Sequence, residues 1–181
     1  MNEIIWPAGY LPGTTENFVS NEVIVAGLRA AEVWPWLAEA TRWPGYYENS
    51  AEIGFDGGKG PALEAGLRFR FRTFGFPVEA EVTECVAPSA GAPGRLAWHG
   101  WAGEPGEAAR LDVHHAWLFE DLDGGRVRIL TQETQKGRPA EDLAKARPNP
   151  MLNGHQDWLD GLVTAARGGA GAIGSAVSSA S

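Results

Sequence analysis

A single cysteine, Cys85, stands in the 181-residue chain, so an internal disulfide is excluded and the fold does not depend on oxidation. Positive charge is also scarce: 15 Lys and Arg against 23 Asp and Glu leave a formal net charge of −8. That balance rules out a domain-wide basic field of the kind that holds nucleic acid or anionic lipid and leaves room only for a local basic patch, so no nucleic-acid partner is expected. No stretch approaches the length of a membrane span. The N-terminal MNEIIWPAGYLPG has neither the basic n-region nor the long apolar run of a secretory leader, and a soluble, cytoplasmic protein is the expectation. The ingredients of a metal site are poor: four histidines and one cysteine, with no ligand-spaced cluster among them. A Gly-rich phosphate loop and a nucleophile elbow are missing too, since KGRPAE and DGGKG hold glycines outside the context such loops require. The expectation is a protein that uses no metal and no other cofactor.

What is present suits one soluble domain with a sizeable core: hydrophobic residues make up 44% of the chain. Eight tryptophans are many for this length; they either fill the core or line a cavity for a flat or greasy ligand. Residues 1–19, with WPAGYLPGTT, read as an ordered arm lying over the domain. NEVIVAG (21–27) alternates and is rich in β-branched residues, which predicts a strand. AAEVWPWLAEA follows as a short amphipathic helix, with Val33, Trp34 and Leu37 sharing a face and Pro35 in the first turn, where a missing N–H costs little. WPGYYEN is a turn or a second short helix. Strands are predicted at 51–55, 66–74, 76–85, 95–103, 110–121 and 126–136. PAEDLAKA offers a helical turn or two before RPNP interrupts it. MLNGHQDWLDGLVTAAR (151–167) is the longest helical stretch, ended by Gly168 and Gly169. The boundaries are thus an arm (1–19), a single domain (20–168) and a small-residue flexible tail (169–181). Hairpin-linked strands imply an antiparallel sheet, and the long helix needs an apolar surface, so it should pack across one face: an α+β architecture.

In GLRFRFRTFGFPVEAEVTEC, Arg68, Arg70 and Arg72 alternate with Leu67, Phe69 and Phe71. With a Gly75-Phe76 loop, Arg72 would face Glu79 and Arg70 would face Glu81, a charge ladder on the solvent side rather than an anion-binding stripe. Phe69, Phe71, Val78, Ala80 and Val82 then point inward. The second hairpin, HHAWLFEDLDGGRVRILTQETQKG, turns at Asp123-Gly124-Gly125, and a three-residue loop there sets His115 opposite Glu133, Trp117 opposite Thr131 and Phe119 opposite Ile129. Val113, His115, Trp117 and Phe119 share a mostly apolar, inner face, while His114 points to solvent. Two polar groups on an apolar wall need partners. His115 and Glu133 either form a self-satisfied structural pair, or work as an acid/base or ligand-anchoring pair. His155, in one helical stripe with Met151, Trp158, Leu159, Leu162 and Ala166, either looks into the same space as Glu133 or caps the first turn and meets water.

The order YLPGTTENFVSNEVIVAG, AAEVWPWLAEATRWPGYYEN, the histidine hairpin with Glu133 to Gly137, and MLNGHQDWLDGL resembles the polyketide cyclase/dehydrase group of the START-like (SRPBCC) superfamily, which includes the birch-pollen allergens. The resemblance covers about residues 3 to 168. It implies the helix-grip fold: a curved seven-stranded antiparallel sheet wrapped on a long C-terminal helix, with two short helices after strand 1 and a cavity between sheet and helix. It also implies Tyr46, Tyr47, Phe69, Phe71, Trp98, Trp117 and Leu159 as cavity walls; Thr131 and His155 complete the expected ligand-contacting set.

One fold hosts many functions. The first expectation is a metal-independent cyclase or dehydratase acting on an aromatic or polyketide-like molecule, with His115 and Glu133 moving protons and Tyr46 or Tyr47 donating to an oxyanion. The second is a carrier or sensor holding a hydrophobic ligand in the same cavity. The third is a protein-interaction domain with a filled core. Oligomeric state stays open, a homodimer included.

Overall fold

The computed structural model describes residues 1–178, with side chains described through Gly169. Strand β1 (Asn17–Ala26) leads into helix α1 (Ala30–Ala38) and a 3₁₀ segment (Ala40–Gly45). Strands β2 (Ala51–Phe55), β3 (Arg68–Thr73) and β4 (Phe76–Val86) follow. Then come β5 (Gly94–Ala102), β6 (Leu111–Leu122) and β7 (Arg126–Lys136). Helices α2 (Arg138–Lys145) and α3 (Pro150–Ser178) complete the fold. The seven strands form one antiparallel sheet in the order β1-β7-β6-β5-β4-β3-β2. Helix α3 crosses its inner face and packs on β1, β7 and α1. This is the α+β arrangement that the order of elements predicts, in the helix-grip form that the resemblance implies.

The three-residue turn after β6 sets the register of the histidine hairpin. Leu122 pairs with Arg126, and the ladder carries His115 opposite Glu133 and Trp117 opposite Thr131. The β3–β4 turn sits one residue earlier than expected. Phe74 and Gly75 are its two central residues, both at positive φ (48° and 80°), as a tight hairpin of this type requires. Arg68 therefore faces Glu81 and Arg70 faces Glu79, while Arg72 faces Pro77. The shift moves each partner by two positions, so the faces are kept and only the ladder changes. Arg68 pairs with Glu81 at 2.9 Å, and Arg72 instead approaches Glu52 at 3.8 Å.

Beyond shifts of one or two residues at strand ends, three features differ from those the sequence predicts. Strand β1 begins at Asn17, because β7 continues to Lys136 and offers Asn17 a partner in Gln135. Pro35 falls in the second turn of α1, whose start at Ala30 follows the Arg29 N-cap. Helix α3 runs on through Gly168 and Gly169 to Ser178. The expected flexibility of the tail falls on side chains beyond Gly169 and on residues 179–181, outside the described residues.

The arm crosses the outer face of the sheet. Arg128 donates to Asn2 O at 2.8 Å, Arg95 to Glu3 O at 2.9 Å and Thr134 to Tyr10 O at 3.0 Å. The Trp6 and Tyr10 rings lie 5.5 and 6.0 Å from the His114 ring. His114 does point away from the helix side, but the arm buries it rather than leaving it in solvent. Burial, reinforced by the nearby His115 and His99 imidazoles, pulls its pKa down to about 4.

On the inner face, small residues of α3 permit close approach. A Cβ at Gly161 would collide with the Tyr46 carbonyl, and one at Gly154 with the Phe74 ring. The helix is thereby pressed against the 3₁₀ segment at one point and against the β3–β4 turn at another.

Candidate functional site

The space between sheet and helix divides into two parts. Toward α1 it is packed: Trp43, Trp117, Phe119, Leu159 and Leu162 have essentially no exposed surface. Trp43 sits at the centre, 5.6 Å from the Trp98 ring and 5.0 Å from Trp158, with its indole N–H donating to Leu37 O at 2.8 Å. Toward α2 it is open. A cavity of about 600 Å³ lies there, walled by Phe71, Val78, Trp98, Val113, Met151 and Trp158 among others. Its exposed lining residues Phe76, Ala109 and Asp142 mark the mouth.

The inner residues of each strand explain the division. Along β6 they run Val113, His115, Trp117, Phe119, and along β7 Gln135, Glu133, Thr131, Ile129. Large apolar groups stand at one end and smaller or polar groups at the other. Gly100 on β5, opposite Val113, leaves further room.

His115, Glu133 and His155 meet where the packed part gives way to the cavity, and all three line it. The alternation of β6 and β7 delivers the first two. The third comes from α3, where Asn149 caps the helix by accepting from Met151 N at 3.0 Å, which sets the phase that turns His155 toward the sheet. Each is buried, with relative exposures of 3%, 4% and 1%.

His115 Nδ1 lies 3.0 Å from Glu133 Oε2, and its Nε2 lies 2.8 Å from Thr131 Oγ1, so both ring nitrogens are engaged. His155 Nε2 is 3.6 Å from the same carboxylate oxygen, and its Nδ1 has no hydrogen-bond partner. The two imidazoles stack at 4.5 Å, tilted by 21°. The second carboxylate oxygen, Oε1, accepts from the Gln135 side chain. Gln135 in turn accepts from Asn17 at 2.7 Å, and Asn17 accepts from the capping Asn149 at 3.3 Å. A line of amides thus joins the start of α3 to Glu133.

Burial acts to raise the Glu133 carboxyl, but the His115 and His155 imidazoles outweigh it and hold the group well below the usual carboxylate range. Burial, with His155 beside it, overrides the pull of Glu133 and brings His115 down to about 4. At neutral pH the cluster is therefore a carboxylate beside a neutral His115. Among the described residues no Lys or Arg pairs with Glu133.

The remaining expected site residues divide between cavity and core. Tyr47, Phe71 and Trp98 line the cavity. Tyr47 stacks on Trp158 at 4.5 Å, and burial raises its phenol, which keeps it an O–H donor. Tyr46 does not reach the cavity: its hydroxyl donates to Trp36 O at 2.8 Å, on the α1 side. Phe69, Trp117 and Leu159 are core packing rather than wall, since Trp43 and its neighbours occupy the space in front of them. Thr131 stands behind His115 as its hydrogen-bond partner instead of facing the cavity. The expected absence of a ligand cluster also changes. Donor atoms of His115, Glu133 and His155, far apart in sequence, all lie within 4.8 Å of one another. Gln135 was missed; its signal is that the inward alternation of β7 continues two residues past Glu133.

No family model and no curated protein matches the chain. Among solved structures, a hypothetical protein from Helicobacter pylori is 53% identical, with 92% of this chain and 97% of that one covered and a TM-score of 0.86. A Streptomyces aromatase/cyclase has a TM-score of 0.60 at 13% identity, with 83% and 93% covered. A norcoclaurine synthase point mutant from Thalictrum flavum, in complex with a transition-state analogue, has a TM-score of 0.57 at 8% identity over the same shares. No described helix is long and apolar enough to cross a membrane.

Proposed function

We propose that this chain, which has the helix-grip fold of the aromatase/cyclase it resembles, binds a hydrophobic, aromatic-sized small molecule in the cavity and promotes its cyclisation or dehydration. The observation that carries the reading is one carboxylate with two imidazoles on the wall of a largely apolar cavity of about 600 Å³. Apolar walls favour the ligand by desolvation, and a single polar cluster orients one end of it. The aromatase/cyclase neighbour supports this class of chemistry by likeness of fold alone.

The hydrogen-bond partners of each group support the following roles. His115, engaged at both nitrogens, positions Glu133. His155, with Nε2 turned to the Glu133 carboxylate 3.6 Å away, takes a proton at its unpartnered Nδ1 from carbon next to a ligand carbonyl, and the carboxylate stabilises the imidazolium. The Tyr47 hydroxyl steadies the enolate oxygen. The enolate then closes on a second carbonyl, whose oxygen takes the proton back from His155, or expels a β-hydroxide that leaves as water with that proton. A binding-only carrier is the second reading, favoured by one observation: the Tyr46 hydroxyl, expected to serve an oxyanion, is committed to Trp36 O.

Glu133→Gln separates the two. For an enzyme, affinity for an anilinonaphthalene sulfonate dye stays within about threefold while turnover of an aromatic polyketide substrate falls roughly 100-fold or more. Unchanged turnover removes Glu133 from the mechanism, and a wild-type protein that excludes the dye overturns the cavity reading.

A further inference from the structure

We propose that His115 Nδ1, Glu133 Oε2 and His155 Nε2 form a binding site for one first-row divalent transition ion, Zn(II) being the type case, with its open side toward the cavity. The donor set is two imidazole nitrogens and one carboxylate oxygen, the mixture that suits zinc and its neighbours rather than calcium or magnesium. Bonds of about 2.0–2.1 Å place tetrahedral donors about 3.3 Å apart. The two measured separations to Glu133 Oε2, 3.0 and 3.6 Å, bracket that spacing. The two imidazole donors stay within 4.8 Å of each other, and closing that gap takes a rotation of the His155 ring, whose Nδ1 no hydrogen bond restrains.

The surroundings are those of a held ligand set. Thr131 fixes the far nitrogen of His115, and Gln135 fixes the far oxygen of Glu133. An ion would replace the hydrogen bond between Nδ1 and Glu133, with Nε2–H then donating to Thr131 and the Nδ1 lone pair turned to the ion. Glu133 is a buried carboxylate with no Lys or Arg beside it among the described residues, and a cation supplies the missing counter-charge. Three protein ligands leave a fourth position, which faces the cavity, where a ligand oxygen can bind and be polarised. The inference goes beyond the acid/base reading but draws on the same cavity and the same three side chains, because a bound ion would occupy the Glu133 and His155 atoms that the acid/base reading pairs with each other.

The test uses the full-length chain, stripped with a chelator and titrated by calorimetry with Zn(II) and, separately, with Co(II) while the visible spectrum is recorded. One ion per chain is expected, with Co(II) bands of a low-coordinate nitrogen/oxygen site. His155→Gln and Glu133→Gln should each weaken Zn(II) binding roughly 100-fold or more, and Gln135→Leu about 10- to 100-fold. His99→Asn, whose imidazole pairs with Asp112, should change nothing. Circular dichroism without metal reports whether each variant folds; should His155→Gln fail, Gln135→Leu and the Co(II) spectrum carry the decision. Absent binding, a stoichiometry other than one, or affinity indifferent to these substitutions overturns the site. Dye binding to the metal-free protein is read alongside: dye bound and Zn(II) ignored defeats the metal site alone, and Zn(II) bound with dye excluded defeats the cavity reading alone.

Discussion

The two ends of the space under α3 are built from the same strands yet do opposite things. At the α1 end, Trp43, Trp117, Phe119 and Leu162 leave no room. At the α2 end, Val113, Gly100 and Gln135 occupy equivalent inward positions and leave a cavity of about 600 Å³. Alternation decides which residues face inward. Side-chain size along the strand decides whether inward means core or wall. The first end supplies the stability that the second, with its buried carboxylate and imidazoles, gives up.

The largest expected contrast is between truncations at the two ends. Trp117→Ala removes a fully packed indole and should cost about 3–5 kcal/mol in chemical denaturation. Val113→Ala enlarges a space that is already open and should cost less than about 1.5 kcal/mol. Equal losses would mean that the cavity end collapses around its contents and that the division is not real.

A second test compares the two faces of β6 by pH. His114, under the arm, and His115, under the helix, are both brought from about 6.5 to about 4 by burial. Each folded imidazole resists a proton that the unfolded chain accepts, so the stability is fully present above pH 6.5 and is lost as the pH falls toward 4. By pH 5 the loss should be on the order of 2 kcal/mol per histidine, seen as a falling Tm. His114→Asn should remove about half of that acid sensitivity. An unchanged slope would show that the arm does not seal the outer face.

The smallest effect tests the open end by filling it. Val113→Phe adds volume where space exists, so stability should stay within about 1.5 kcal/mol of wild type. Dye affinity should drop at least about tenfold, measured by fluorescence titration. A large loss of stability would reveal hidden crowding at the cavity wall.

Much of this was legible from residue order. The Asp123-Gly124-Gly125 turn fixes the register of His115 and Glu133, because a loop of known length leaves the ladder no choice. The helical period of Met151, His155 and Trp158 offers the sheet side to His155 without excluding a capping role, and the structure stacks it on His115 at 4.5 Å. Depth was not legible. Phe69 and Trp117 point inward as expected, yet Trp43 from the 3₁₀ segment packs against Phe69 and Trp158 from α3 against Trp117, and only the three-dimensional paths of those segments set their positions. Tyr46 and Tyr47 are adjacent, and nothing local says which will find Trp36 O and which will face the cavity. The β3–β4 register failed for a local reason: Phe74 takes a positive φ that a bulky side chain seldom adopts, while glycine alone signalled the turn.

The row of amides from Asn149 through Asn17 and Gln135 to Glu133 couples doorway to hearth. The first turn of α3, Pro150 and Met151, borders the chamber, and the residue that caps that turn is also the outermost link of the row. The start of α3 and the far oxygen of the carboxylate thus hang on one thread of side-chain amides, so that the seating of the helix and the aim of Glu133 are set together.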